Sequence, residues 1–144
     1  DGKSRLHQTV VAKDTEVVRS LLSEGAAVDT SDHLGNRPLH DAVIAAEEPI
    51  IKLLLKFGAD VDARDQAGRS ALHLSVSHLN VLKILIKEGV DVNVQDNVGD
   101  TALHLAVSLP DGPANQVTEA LIHAKSDLNK KNDAGLTPFI NFSE

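Results

Sequence analysis

The chain has 144 residues, of which 42% are hydrophobic, and its 14 Lys and Arg against 21 Asp and Glu give a formal net charge of −7. Because this acidic sequence contains no block of basic residues and repels phosphate backbones, we expect no nucleic-acid partner. No apolar run approaches the ~20 residues of a membrane-spanning helix, so we expect no membrane insertion. The chain has no cysteine, which excludes disulfides and fits an intracellular protein of the cytoplasm or nucleus.

One short sequence phrase recurs along the whole chain. Its central leucine stands at positions 6, 39, 72 and 103 and the last copy has Phe139 instead, so the spacings are 33, 33, 31 and 36 residues. In the first four copies a histidine follows the leucine: His7, His40, His73 and His104. A glycine precedes every copy: Gly2, Gly35, Gly68, Gly99 and Gly135. A period near 33 residues predicts a solenoid of stacked units instead of one globular core.

The second unit shows the predicted elements in chain order. A turn ends at Gly35, and a first helix is predicted over Pro38–Ala45, because proline suits a first helical turn and apolar residues recur at helical spacing. A second helix begins at Glu47-Glu48-Pro49 and ends at Gly58, which can adopt the left-handed conformation of a helix cap. Second helices of the other units are predicted at Thr15–Ser23, Asn80–Lys87 and Asn115–Ala124.

The order turn, helix, turn, helix, with Pro38-Leu39-His40 opening the first helix and Gly58-Ala59-Asp60-Val61-Asp62 closing the second, resembles the ankyrin repeat. The resemblance covers essentially the whole chain and implies an all-α ankyrin-repeat solenoid of stacked antiparallel helix pairs with short β-hairpin-like arms. We expect a single domain over residues 1–144, with units at about 1–31, 32–64, 65–95 and 96–131 and a partial unit at 132–144. We also expect the chain to be a segment of a longer protein.

The third and fourth units depart from the repeat. The third is two residues short around Ser77-His78-Leu79-Asn80, and the fourth carries three extra residues within Ser108–Gln116. That longer loop is either a second binding site or a tolerated insertion. Lys125 replaces the capping glycine, and a non-glycine residue in the left-handed conformation costs roughly 1 kcal/mol or more. We therefore predict that the fourth unit is the least stable of the complete ones.

Chemistry at the four repeated histidines is not expected. Each belongs to a different unit, so they form a row along the stack, and no unit supplies three converging metal ligands. In the family that the chain resembles, this imidazole ties the loop to the helix by hydrogen bonds. No nucleophile elbow or phosphate-binding loop occurs. We therefore expect no enzyme activity, no cofactor, no metal and no small-molecule substrate.

The resemblance implies a protein partner, bound at the arm tips and on the concave face of the first helices. Carried over by position, the expected partner-binding residues are Leu34, Asn36, Ile44, Arg69, His78, Val98, Asp100, Leu109 and Leu136. Their apolar members are expected to face solvent as a patch, although packing on neighbouring arms or flanking units is the alternative. Because the chain is acidic and lacks Trp and Tyr, the partner is expected to present a basic or aromatic-rich face.

Two further alternatives remain open from the sequence. The chain could be a regulatory or substrate-docking segment of an enzyme whose catalytic domain lies elsewhere, or a structural spacer without a ligand. The family resemblance also implies hydroxylation of Asn93 by an oxygen-dependent asparaginyl hydroxylase, and the alternative is that Asn93 only caps its arm.

Overall fold

The computed structural model describes residues 2–111 and 115–139, so Gly112–Ala114 of the long loop and residues 140–144 of the partial fifth unit lie outside the described residues. Eight helices lie in the described ranges, and they form four consecutive pairs. They are α1 Arg5–Val11, α2 Thr15–Ser23, α3 Pro38–Ile44, α4 Glu48–Lys56, α5 Ala71–Leu74, α6 Leu79–Lys87, α7 Ala102–Val107 and α8 Gln116–His123. The only regular β pairing in those ranges is an antiparallel bridge between Arg64 and Ser70.

The helix bounds follow the sequence periodicity closely. Helix α2 has the predicted bounds, and α8 lies between an N-cap at Asn115 and a C-cap at Ala124. Helix α5 is the exception, because its four residues fall three short of α3, as expected where the unit lacks two residues. No helix of the described ranges is both long and apolar enough to cross a membrane.

One continuous apolar core joins the units. First helices pack on first helices, as α1 does on α3, and second helices pack on second helices, as α2 does on α4. The leucines of the repeated phrase and one leucine of each later second helix are almost fully buried: Leu6, Leu39, Leu72, Leu103, Leu54, Leu85 and Leu121. Burial of one such side chain contributes roughly 2 kcal/mol, so the stack is held chiefly by contacts between neighbouring units.

The arms between the helix pairs are built around an aspartate turn. In the first of them, Asp32 Oδ1 accepts hydrogen bonds from the N–H groups of Leu34 and Asn36, each at 2.9 Å. Asp65, Asp96 and Asn132 make the same pair of bonds in the later arms. The side chain therefore satisfies backbone donors locally and fixes the turn conformation.

Main-chain hydrogen bonds also join each arm to the next. The carbonyl of Leu34 accepts from Gln66 N at 3.1 Å, that of Ala67 from Asn97 N at 2.9 Å, and that of Val98 from Asp133 N at 3.0 Å. The backbones approach so closely that a Cβ added to Gly68, at φ +75°, would lie 2.8 Å from Asn97 N. Glycine is therefore required there by both conformation and space.

Helix ends confirm one prediction about the fourth pair. Gly58 closes α4 with φ +90°, and Lys125 follows α8 with φ +66°. Lys125 therefore adopts the left-handed conformation that its position demands, at the steric cost that a Cβ brings.

Candidate functional site

One residue at or shortly after the end of each first helix belongs to a row along the stack. Its members, Val11, Ile44, Ser77 and Ser108, each stand five residues after the leucine of the repeated phrase, and we call them the first-helix row. Val11 is 53% exposed and Ile44 54% exposed, although α1 and α3 pack directly on each other. The row is thus apolar in its first half and hydroxylic in its second.

The arm tips form a second row, made of the residues that precede the turn glycines: Leu34, Ala67, Val98 and Ala134. Leu34 is 65% exposed and Val98 58% exposed. The carbonyls of Leu34, Ala67 and Val98 accept the bonds that join neighbouring arms, so their backbones are held while their side chains remain free. Leu34 and Val98 lie where the sequence placed them, in solvent.

The other two apolar residues of the predicted patch do not lie freely in solvent. Leu109 is half-buried against the core, and its N–H donates to the Ala106 carbonyl at 3.2 Å, because the enlarged turn after α7 folds back on that helix. Leu136 is half-buried and lines a cavity of about 140 Å³ beside His104. The expectation of solvent-facing side chains was therefore wrong at these two positions.

The polar members of the predicted set are engaged within the fold. Asn36 contributes its carbonyl to His7 at 2.8 Å, and Asp100 Oδ1 accepts from Asn132 Nδ2 at 2.9 Å. Arg69 pairs with the buried carboxylate of Asp65 at 3.0 Å and keeps an exposed outer edge. His78 is half-buried at the N-cap of α6. Asn36, Asp100 and Arg69 thus help to hold the frame, and Arg69 also presents a guanidinium edge, whereas the His78 side chain makes no capping hydrogen bond.

The repeated histidines each bridge two backbone groups. In His40, Nδ1 accepts from Arg37 N at 2.9 Å, so Nε2 carries the proton and donates to the Ala63 carbonyl at 3.0 Å. The Nε2 atoms of His7, His73 and His104 lie 2.8–2.9 Å from carbonyls of the following arm. Burial lowers the pKa of His40 and of His73, although the accepting carbonyls partly offset it. Neutral imidazoles therefore tie loop to helix, as the resemblance implied.

A charged cluster at the first junction was not foreseen from the sequence. Ligand-type atoms of His7, Asp32 and Asp41 lie within 4.8 Å of one another. Lys3 Nζ lies 3.0 Å from a carboxylate oxygen of Asp32 and 3.0 Å from one of Asp41. An ammonium group thus balances the carboxylates where a cation would sit, and both ring nitrogens of His7 are already hydrogen-bonded.

The contacts of this cluster shift the pKa values of Asp32 and Lys3. Burial alone would raise the pKa of Asp32, but Lys3 and the N–H groups of Asn36 and Leu34 bring it down to about 2. Burial alone would lower the pKa of Lys3, but its hydrogen bonds to Asp32 and Asp41 hold it above the usual value. The cluster could not be foreseen from the sequence because Lys3 belongs to the first unit and the two aspartates belong to the second.

Asn93 takes part in a ladder of side-chain bonds between arms. Its Oδ1 accepts from Asp127 N at 2.7 Å, as Asp62 Oδ1 does from Asp91 N at 3.0 Å. This geometry fits the capping role that was the alternative. Hydroxylation of Asn93 stays a prediction, and a mass increase of one oxygen on its peptide from native source would support it.

Val11 is the exposed apolar residue of the first-helix row that the expected binding set omits. Its signal was available, because it lies 33 residues before Ile44, at the same position of the repeat.

Comparison with known proteins agrees with this architecture. A family model described as "Ankyrin repeats (3 copies)" matches residues 1–65 and 43–132. Among curated proteins, none matches the chain. The family match spans most of the sequence and coincides with the four helix pairs, their aspartate turns and their bridging histidines. The chain therefore belongs to the ankyrin-repeat family.

Proposed function

We propose that this chain is a non-enzymatic protein–protein interaction module, which binds its partner through the first-helix row and the arm tips. Ankyrin repeats are generally protein-interaction modules and are typically non-catalytic. The observation that carries the proposal is the exposure of Leu34, Ile44 and Val98, each more than half exposed on an element that the fold holds rigidly. An intracellular location, in the cytoplasm or nucleus, is part of the same proposal.

Preorganisation is the proposed mechanism of binding. Ordering a flexible loop on binding costs free energy, and a segment that is already fixed avoids that cost. The tips of Leu34 and Val98 are fixed by main-chain bonds to the next arm and by the aspartate turns of Asp32 and Asp96. A partner therefore meets apolar side chains whose spacing is set before it arrives.

The charge near the tips favours a partner with basic residues around an apolar or aromatic anchor. Asp60, Asp62 and Asp91 are exposed on the arms, where they can steer such a partner and slow the approach of acidic proteins. The described residues around Leu34 and Ile44 offer no aromatic side chain, so the anchoring ring would come from the partner.

Affinity capture with quantitative mass spectrometry tests the proposal. The wild-type chain is compared with the Leu34→Asp/Ile44→Asp/Val98→Asp variant, after circular dichroism shows equal helicity. Ile122→Asp serves as the control, because Ile122 is also exposed but lies on α8, away from both rows. We expect a specific set of proteins to be lost with the triple variant and kept with the control.

Other outcomes would replace the proposal. Equal recovery with all three proteins would move the binding surface elsewhere, and recovery of nothing by the wild type would favour a structural spacer. Unfolding of the triple variant would show that these side chains belong to the core and would remove the surface assignment.

A further inference from the structure

The outer face of the second helices carries a basic surface that the overall charge conceals. Four of the chain's nine lysines lie on two of its helices, Lys52 and Lys56 on α4 and Lys83 and Lys87 on α6, and all four are exposed. Lys52 and Lys83 each stand six residues before the capping glycine of their helix, and Lys56 and Lys87 each stand two before it. The pairs therefore occupy equivalent positions in consecutive units, and we call the four lysines the basic face.

Interaction with the helix dipole accounts for two of the four lysines of the basic face. Lys56 and Lys87 lie in last turns, where a cation interacts favourably with the helix dipole. Lys52 and Lys83 lie mid-helix, each four residues before another lysine, and like charges at that spacing are unfavourable by a few tenths of a kcal/mol. On α4 this is offset by Glu48, which stands four residues before Lys52, so the uncompensated like-charge pair is Lys83 and Lys87 on α6.

A trough runs beside the basic face, between α6 and α8. Its lower part is a recess of about 330 Å³ lined by Lys83, Glu119 and His123, among others. Its upper part is a recess of about 380 Å³ lined by the apolar side chains of Leu109, Pro110 and Val117. Leu79 and Gln116 line both recesses, so the two are continuous.

Unequal turns of the third and fourth pairs create the upper recess. Four residues connect α5 to α6, whereas eight connect α7 to α8, and α5 itself is only four residues long. The short pair therefore leaves room beside Leu109 and Pro110, which belong to the described start of the longer connection. The trough is thus a product of the two departures from the repeat.

We propose that the trough and the basic face bind a short acidic segment of a partner protein, with an apolar side chain in the upper recess and carboxylates along Lys83 and Lys87. Lysine ammonium groups attract carboxylates and phosphates alike, so the apolar side chains of the upper recess are what favours a peptide, which can combine carboxylates with an apolar side chain. A long polyanion would also extend past two helices, roughly 10 Å apart, onto the acidic arms. This inference does not rest on the function proposed above, although the upper recess meets the first-helix row at Ser77.

Fluorescence anisotropy with a labelled peptide, in which one leucine precedes a run of glutamates, tests the inference. The variant is Lys83→Gln/Lys87→Gln, and the control is Lys130→Gln/Lys131→Gln, which removes the same charge from an arm. We expect Kd to rise about tenfold in the first variant and less than about twofold in the control, because two charge contacts are lost only in the first. A peptide with glutamines in place of the glutamates should bind at least about tenfold more weakly.

Several results would overturn the inference. Equal losses in both variants would mean a response to net charge alone, and absence of binding by the wild-type chain at about millimolar peptide would remove the site. Stronger binding of duplex DNA or of phosphatidylserine vesicles, lost with the same lysines, would assign the face to phosphate. If the glutamine variant loses helicity, Lys83→Arg/Lys87→Arg replaces it, and peptide binding within about threefold of wild type is then required. The Leu34→Asp/Ile44→Asp/Val98→Asp variant should still bind the peptide, which separates this site from the first.

Discussion

The second helix pair, α3 and α4, and the fourth, α7 and α8, follow one plan and differ in how it is closed. Three residues connect the helices of the second pair, and eight connect those of the fourth. The second pair ends in Gly58 and a half-buried Ala59, whereas the fourth ends in Lys125 at φ +66° and in Ser126, whose buried hydroxyl has no hydrogen-bond partner among the described residues.

The two pairs are packed alike in the core, but we expect them to differ in local stability. Leu54 and Leu121 are both fully buried, so packing within the two pairs is equivalent at this position. At the end of the second helix, the strained cap and the orphaned hydroxyl each cost on the order of 1 kcal/mol in the fourth pair. The second pair has defects of the same kinds elsewhere, because Ala46 adopts φ +55° and the buried Arg37 Nε has no hydrogen-bond partner among the described residues, but the fourth pair also has Asp111 at φ +58°. Because stability in a stack is roughly a sum over units and interfaces, the fourth pair should open first.

The largest expected effect comes from breaking an intact junction. Gly68→Ala should lower the free energy of unfolding by about 3 kcal/mol, because the new Cβ meets Asn97 N in a left-handed backbone. Gly135→Ala is the control, since it has a similar φ of +78° but its Cβ meets no described atom within 4 Å, and it should cost about 1 kcal/mol. Urea unfolding measures both, and equal losses would show that conformation alone matters.

The next largest effect is a loss of stability at low pH. It is expected at the first junction, which has Asp32, and not at the last, where Asn132 holds the equivalent position. The pKa of Asp32 is about 2 against an ordinary 3.8, so the folded state is stabilised above that ordinary value and loses the contribution as pH falls towards 2. The shift corresponds to about 2 kcal/mol. Asp32→Asn should lower stability by up to about that amount at neutral pH and abolish this acid-dependent step.

Unfolding curves recorded between neutral pH and pH 2 would test this, and an unchanged step in Asp32→Asn would assign it to another carboxylate. Below pH 6.5, the ordinary histidine pKa, the free energy of unfolding should also fall because of His40 and His73. Their lowered pKa values mean that the unfolded chain takes up protons first as the pH falls.

Restoring glycine at the C-terminal cap of α8 should change stability by a smaller amount, and should raise it. Lys125→Gly should raise stability by about 1 kcal/mol, because glycine adopts the left-handed backbone without a steric penalty. The reciprocal Gly58→Lys should lower it by about the same amount. Native-state amide exchange of α8 is the most direct measurement, and unchanged exchange in Lys125→Gly would place the weak point of the fourth pair elsewhere.

The smallest effect is expected at the neighbouring residue. Ser126→Ala should raise stability by roughly 0.5–1 kcal/mol, since it removes a buried hydroxyl that makes no hydrogen bond. Ala59→Ser, at the equivalent position of the second pair, should lower stability or leave it unchanged. Thermal unfolding of the two variants distinguishes them, and a loss on Ser126→Ala would mean that the hydroxyl contributes favourably.

The sequence alone was enough for features that every unit repeats. Helix α2 and the left-handed Lys125 were predictable because each depends on local spacing within one unit. The bridging role of the histidines, most of which reach a carbonyl of the next unit, was implied by the family resemblance. Leu109 was mistaken for a solvent-facing residue because the insertion changes the course of its turn, and periodicity says nothing about an inserted segment.

Features that depend on the stacking of units could not be predicted from the sequence. Lys3 reaches aspartates 29 and 38 residues away, in the next unit. Lys52 and Lys83 are 31 residues apart, so the chain shows no basic block although four lysines hold equivalent positions on α4 and α6. Neither arrangement has a signature in any single window of the chain, because each is created by the contact between units.

The bonds that join the arms have a consequence for how such a protein evolves. At Leu34, Ala67 and Val98 the stack uses only main-chain groups: the N–H donates to the turn aspartate and the carbonyl accepts from the next arm. Every amino acid except proline supplies both groups. Three different side chains project from the same hydrogen-bonding site, and a mutation there alters what the tip displays while the supporting bond persists. Selection can therefore change the specificity of the tips over generations with little conflict with the demand to fold.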